Sequence, residues 1–260
     1  MLIGIIYFIV IVFANTIGAV SGMGGGVIIK PVFDLIAQDS VAAISFYSTV
    51  AVFTMSLVST WRQIKNGVHL NWQLVAFISG GAVAGGILGN YIFELLLSWL
   101  ADESFVQLIQ IGLTIITLVF AFLYSRFDWK NYHFNSVLSY FLAGLLLGFL
   151  ASLLGIGGGP INVSLLMLLF SIPIKEATVY SLATIFFSQL AKILTITFSV
   201  GFARYDLTML AFVIPAAILG GLLGSKLSNI LSPKKVTFVF QCVILLVLVI
   251  NLYNGWQVFV

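Results

Sequence analysis

Two glycine clusters carry most of the chemistry this sequence could perform. Gly22-Met23-Gly24-Gly25-Gly26 closes the first apolar stretch, and Gly155-Ile156-Gly157-Gly158-Gly159 recurs 133 residues later. Each joins a long apolar segment to a short one, the place where a helix broken inside a bilayer would turn. Glycine permits positive φ and close backbone approach. The short helix that follows starts with unpartnered N–H groups and the positive end of its dipole. Such a terminus is a ready anion site. Pro160 falls at the first helical position of the second short segment, where proline is favoured. Gly24, Gly25, Gly26, Gly157, Gly158 and Gly159 are therefore candidate substrate-binding residues, with their amides toward a small anion. The same glycines could instead serve tight turns and helix packing alone; recurrence at equivalent positions favours the anion. Bulky residues at Gly25 and Gly158 are expected to abolish function and leave folding intact. A dinucleotide fingerprint is excluded, because its last glycine is replaced by Val27 and Pro160, and no Walker lysine with Ser or Thr follows.

Several polar side chains could complete such a site. Lys30 lies about one turn after the first cluster, where a charge in the membrane is costly and points to function. It could complement an anion or pair with Asp34 at i+4, and the two readings stand level. The second copy has Val163 there. Gln189 and Lys192 share one helical face, and Lys192 is six residues from a segment end, so snorkelling to the interface is slightly favoured over a site role. Asn162, just inside the second short segment, is the better donor. Tyr47, Ser48, Tyr180 and Ser181 are repeat-related; singly they read as interhelical hydrogen bonders, as a set they line a path. The ladders Gly81-x3-Gly85-x3-Gly89 and Ala216-x3-Gly220-x3-Gly224 read as close helix packing. Glu94 is near a segment end and has no assigned role. No HExxH, G-x-S-x-G or intramembrane carboxylate pair is present, so neither catalysis nor a proton carrier is indicated. Lone Cys242, and His69 and His133 in loops, leave no metal site or cofactor expected.

The elements that must position these residues follow from composition. Of 260 residues, 61% are hydrophobic and 7% charged, against roughly 25% charged in soluble domains. Mean hydropathy is +1.18. Continuous apolar runs suit membrane helices of about 20 residues; barrel strands would alternate. Ten segments are expected, at 2–20, 25–37, 41–61, 72–97, 105–125, 137–154, 160–171, 174–198, 207–229 and 235–258. The two short ones would reach only about 18–20 Å, too little for a core of about 30 Å. Each should return to the side where its preceding helix began. The first segment lacks a basic n-region and reads as a mature helix, not a signal peptide.

Arg62, Lys65, Arg126, Lys130, Lys175, Lys226, Lys234 and Lys235 all fall in loops on one side. Basic loops face the cytoplasm, which places both termini outside. The +3 net charge gives no nucleic-acid footprint. At the offset of 133, Ile28, Leu35, Tyr47-Ser48, Phe53 and Leu57 match Ile161, Leu168, Tyr180-Ser181, Phe186 and Leu190. After a two-residue shift, Gly85–Gly89 matches Gly220–Gly224. The fold class expected is an all-α integral membrane bundle of two inverted repeats, each with a broken or re-entrant helix pair at its GxGGG loop. The first repeat is residues 1–125, a cytoplasmic linker 126–136, and the second repeat 137–260. Inverted repeats with interrupted helices characterise secondary transporters.

These motifs resemble the TauE/SafE sulfite exporter family of anion permeases. The carriers of the resemblance are Gly22–Gly26 followed by Pro31, Gly155–Pro160, and the later glycine pair, over nearly the whole chain. The second copy departs in having Ser164 where the family has the later proline. The resemblance implies a multi-pass inner-membrane transporter of sulfite, sulfoacetate or other organosulfonates; some relatives handle other small organic anions, such as carboxylates. Alternating access around the glycine amides is the expected mechanism, and an anion channel is the rival. The expected partners are a small anion and the bilayer, with a homodimer open and no nucleic acid.

Overall fold

The computed structural model describes residues 2–66, 71–100, 102–127 and 129–259; His69 lies outside them. Among the described residues the chain forms ten α-helices and one 3-10 turn. They are α1 (Leu2–Ser21), α2 (Gly26–Ile36), α3 (Val41–Lys65), α4 (Trp72–Trp99), α5 (Glu103–Arg126), α6 (Val137–Leu153), α7 (Pro160–Phe170), α8 (Ile174–Phe198), the turn Leu207–Met209, α9 (Leu210–Ile230) and α10 (Pro233–Phe259). Each expected segment is a helix within a few residues of its expected ends. Seven are long and apolar enough to cross a membrane, and α6, α7 and α2 are shorter. The starts are set by side-chain caps: Ser40, Asn71, Asp102 and Ser136 each accept an N–H from the first turn of α3, α4, α5 and α6.

The short helices fold back. Tyr7, in the second turn of α1, stacks on Phe33 of α2 at 3.8 Å and donates its hydroxyl to Asp39, just beyond α2. In the second half, Tyr140 near the start of α6 meets Phe170 at the end of α7 edge-on at 5.2 Å. The N–H groups of Tyr132 and Phe134, ahead of α6, donate to Leu168 and Leu169 near the end of α7. Each hairpin thus returns to the face where it began. One face collects Asp39, Glu94, Asp102, Glu103, Arg204 and Asp206; the other collects the eight cations expected in loops, of which all but Lys130 lie instead in the helices near that face. Both short helices end on a left-handed residue, Ala37 and Ser171.

The main helix contacts recur when the halves are exchanged. Helix α1 packs on α9 as α6 packs on α4, α3 on α9 as α8 on α4, and α2 on α10 as α7 on α5; α3 meets α8 and α5 meets α10. Small residues allow the closest of these contacts. A Cβ on Gly81, Gly85 or Gly89 would strike the carbonyl of Phe141, Leu145 or Phe149 on α6. One on Gly220 or Gly224 would strike Asn15 or Thr16 on α1. Lipid tails offer no hydrophobic drive for helix association, so van der Waals contact at this range must supply it.

Gly85→Leu is therefore expected to cost about 1–3 kcal/mol or more through overpacking. Gly80→Ala, whose Cβ meets nothing within 4 Å, is expected to hold or raise stability, because a mid-helix glycine costs roughly 0.5–1 kcal/mol relative to Ala. Thermal unfolding in detergent distinguishes them, and equal melting temperatures would contradict the packing account.

Candidate functional site

The fold-back of both hairpins carries the two glycine loops to one another. A Cβ on Gly24 would stand 3.6 Å from the Gly157 carbonyl, and one on Gly26 would fall on the Ile156 carbonyl and beside Ser48 Oγ. The surroundings obey the same exchange: Gly22 lies against Thr178 of α8, and Gly155 against Ser45 of α3, its repeat equivalent. Gly157, Gly158 and Gly159 have φ of 67°, 134° and 143°, open to glycine and strained for other residues. Gly25 is required for space, since its Cβ would fall on the Asn15 side chain, and one on Gly158 would reach Ile185. Bulk at Gly25 or Gly158 would therefore disturb the fold itself. That overturns the expectation that such variants stay folded.

A chain that breaks inside a bilayer exposes backbone groups to a medium that cannot satisfy them. Side chains from neighbouring helices meet the carbonyls here. Ser181 Oγ donates to Gly22 O at 2.6 Å, Gln110 Nε2 to Leu153 O at 2.7 Å and Lys192 Nζ to Ser152 O at 2.8 Å. Lys192 Nζ also donates to Ser45 Oγ at 2.9 Å and lies 5.1 Å from the Phe93 ring. With 0% exposure, Lys192 does not snorkel. Its cation sits on the carbonyl end of α6, where the helix dipole is negative. That interaction, and the hydroxyl and ring beside it, hold inward a side chain that distance alone would let reach the surface.

The donors are left elsewhere. At the start of α2 and α7 the first N–H groups have no carbonyl one turn earlier within their helices, although Pro160 has no N–H, Ile28 and Asn162 donate to the Gly25 and Gly159 carbonyls, and the Gly157 N–H donates to the Ala151 carbonyl. Both side-chain amide atoms of Asn162, in the first turn of α7, are buried without a partner, as is Ser48 Oγ beside Gly26. A Cβ on Gly158 would stand 3.3 Å from Asn162 Nδ2. Asn15 donates to the Ala51 carbonyl and its own Oδ1, next to Gly25, is unpartnered. Gln189 donates to neighbouring Ser188 and keeps a buried, unpartnered Oε1. Residues 18–31 and 151–160 are all buried, so the site is covered.

The structure thus gathers the six glycines, Asn162, Ser48 and Ser181. It sends Tyr47 and Tyr180 to opposite ends. The Tyr47 hydroxyl donates to the Asp206 carbonyl at 3.1 Å, and Tyr180 accepts the Asn71 N–H at 2.7 Å. These are interhelical bonds at the caps of the 3-10 turn before α9 and of α4. The Asp206 carboxylate is held below its usual range by the Thr208 hydroxyl and N–H. Glu94, without a role from sequence, receives Arg204 in a bidentate pair on the same face as Asp206. Lys30 pairs with Asp34 at 2.8 Å, both buried, with its Cδ reaching toward Gly155. Asn15 and Ser45 were missed. Asn15 had a signal, a polar residue two turns before the glycines in an apolar run.

The sequence model described as Sulfite exporter TauE/SafE matches residues 7–251. The chain belongs to this family. It is similar to the probable membrane transporter protein YunE of Bacillus subtilis (strain 168), with 26% identity over 93% of this chain and 94% of that one. It is also similar to the probable membrane transporter protein MJ0441 of Methanocaldococcus jannaschii, with 23% identity over 88% and 87%. No solved structure matches. This TauE/SafE member is a multi-pass membrane transporter and not an enzyme.

A site held ready for a ligand should be less stable than it could be. Asn162→Leu removes an unsatisfied buried amide and is expected to gain about 1–3 kcal/mol, read as a higher melting temperature without ligand. A large loss of stability would mean that Asn162 is a structural hydrogen bonder.

Proposed function

We propose that the chain is a secondary transporter of a small oxyanion, sulfite or an organosulfonate, bound at the meeting of the two glycine loops. The observation that carries this reading is the pair of loops in contact, with Asn162 and Ser48 buried and unpartnered beside them. Amides, an Asn side chain and a hydroxyl are neutral donors that suit a small anion with several oxygens. The description of the family as sulfite exporters supports the substrate class.

Alternating access follows in this reading from two inverted halves. The recurrence of the main helix contacts on exchange supports it, α1–α9 with α4–α6, α3–α9 with α4–α8 and α2–α10 with α5–α7. The two faces differ in closure. Arg204–Glu94, Tyr47–Asp206 and the stacked Phe46–Tyr205 pair, 4.3 Å apart, tie down the acidic face. Toward the basic face an apolar groove of about 600 Å³ opens among α3, α4 and α8, lined by Trp61, Trp72, Phe186 and Phe187. With basic loops in the cytoplasm, the protein lies in the plasma (inner) membrane with both ends of the chain outside. The arrangement then corresponds to a state closed outward. Burial of both loops favours a carrier over an open channel.

Purified protein in liposomes should carry sulfite or isethionate with saturable kinetics, and acetate less well. Asn162→Leu and Ser48→Ala should each weaken apparent affinity about tenfold or more, the loss of a hydrogen bond to a charged group of about 1.5–3 kcal/mol. Non-saturating flux, or saturable flux unchanged in both variants, would contradict the assignment.

A further inference from the structure

Asp34 lines two separate spaces. On its outer side lies a polar cavity of about 470 Å³ between α2, α5 and α10, lined by Asp34, Ser104, Gln107, Tyr253, Asn254 and Gln257. On its inner side lies a void of about 10 Å³, lined by Asp34, Lys30, Gln110, Thr114, Asn251 and Ile156. That void has room for about one water, and it has the polar partners a buried water needs. Ile156 belongs to the second glycine loop. The carboxylate therefore stands between a cavity on the acidic face and the loops, with one water-sized step behind it.

The bonding of the carboxylate is incomplete. One oxygen accepts from Lys30 Nζ at 2.8 Å; the other, Oδ1, is buried without a partner. Across the small void, Gln110 Oε1 is also unpartnered, its Nε2 being committed to the Leu153 carbonyl. Lys30 continues inward, with its Cδ 3.5 Å from where a Cβ of Gly155 would stand. A purely structural i,i+4 pair would need neither an orphaned oxygen nor cavities on both sides.

We infer that Asp34 is the site through which transport is coupled to protons. This rests on the anion site proposed at the glycine loops. A proton enters from water in the outer cavity and binds Asp34 Oδ1. The carboxyl becomes neutral, and the Lys30 ammonium loses its counter-charge. That cation stands beside Gly155, where an incoming monoanion restores neutrality. When the anion leaves, the proton leaves Asp34 and the Lys30–Asp34 pair re-forms. One proton and one monoanion thus move in the same direction, and no net charge crosses.

The titratable and charged groups around Asp34 fit this assignment. Lys30 is on its own helix. Helix α1 presents Tyr7, whose hydroxyl is committed to Asp39, and α3 presents Tyr47 behind Tyr7. Helix α10 contributes Tyr253. Helix α5 offers amides and hydroxyls at this level, and its Glu103 accepts the Val41 N–H further out. Lys192 is separated from Lys30 by Gly155 and Ser45. Among these described groups, Asp34 is the carboxylate at the depth of the loops.

The test uses the full chain in liposomes with isethionate, a sulfonate that stays ionised and brings no proton of its own. Sulfite is run as the second anion. In wild type, an isethionate gradient should move protons, read by a trapped pH dye, and an acid-outside gradient should accumulate isethionate. Asp34→Asn mimics the protonated state, so it should keep isethionate counterflow within about twofold and lose gradient-driven accumulation. If that variant fails to fold, Lys30→Gln with Asp34→Asn leaves no buried charge unpaired and should likewise carry no proton flux. Isethionate flux in wild type without proton movement, or gradient-driven accumulation retained in either variant, overturns the coupling and leaves the transporter reading standing. No flux of either anion in wild type overturns both.

Discussion

A backbone break inside a bilayer must find its hydrogen bonds within the protein, and this chain contains two. Most of what surrounds the glycine loops answers that constraint. Carbonyls at the ends of α1 and α6 are met by Ser181, Gln110 and Lys192, each from another helix. Each loop packs on the other and on the long helix of the opposite half, Gly22 on α8 and Gly155 on α3. These carbonyls are thus satisfied, and the Asn162 amide and Ser48 hydroxyl beside the loops are left without partners. The polarity that would suit an anion is a consequence of how the two breaks are closed.

The same constraint explains why charges lie so deep. Lys192 is a costly residue at full burial, and a helix C-terminus, a hydroxyl and an aromatic face share its cation. The Lys30–Asp34 pair is a second deep charge system, neutral as a unit. Neither lysine has a counterpart in the other half: Val163 stands opposite Lys30, and Ser59 opposite Lys192. The main packing contacts recur under exchange while the charges do not. In the proposed mechanism, the symmetric part supplies two similar arrangements, and the asymmetric part supplies the energetic link to an ion.

Helix positions were legible because each break in hydrophobicity carries local chemistry: caps at Ser40, Asn71, Asp102 and Ser136, and glycines at 22–26 and 155–159. The returning course of the short helices was legible from their length. What sequence could not reach was lateral distance. Lys192 looked free to snorkel because its position along the helix was visible and the Ser152 carbonyl across from it was not. Asp34 was visible only as the partner of Lys30, since the residues of α5 and α10 that build the cavities beside it lie 70 or more residues away in sequence. From sequence alone Gly25 and Gly158 read as replaceable, because Asn15 and Ile185, which fill their space, lie on other elements or turns.

In the proposed function an oxyanion is held by the backbone amides of both loops at once. Protein labelled with 15N only at glycine, titrated with sulfite in detergent, reads this directly by NMR. Saturable amide shifts are expected at Gly24, Gly25 and Gly26 and at Gly158 and Gly159, sharing one dissociation constant, with Gly157, whose N–H donates to the Ala151 carbonyl, moving less. Shifts confined to one loop, or to glycines remote from both such as Gly80 and Gly112, would contradict it.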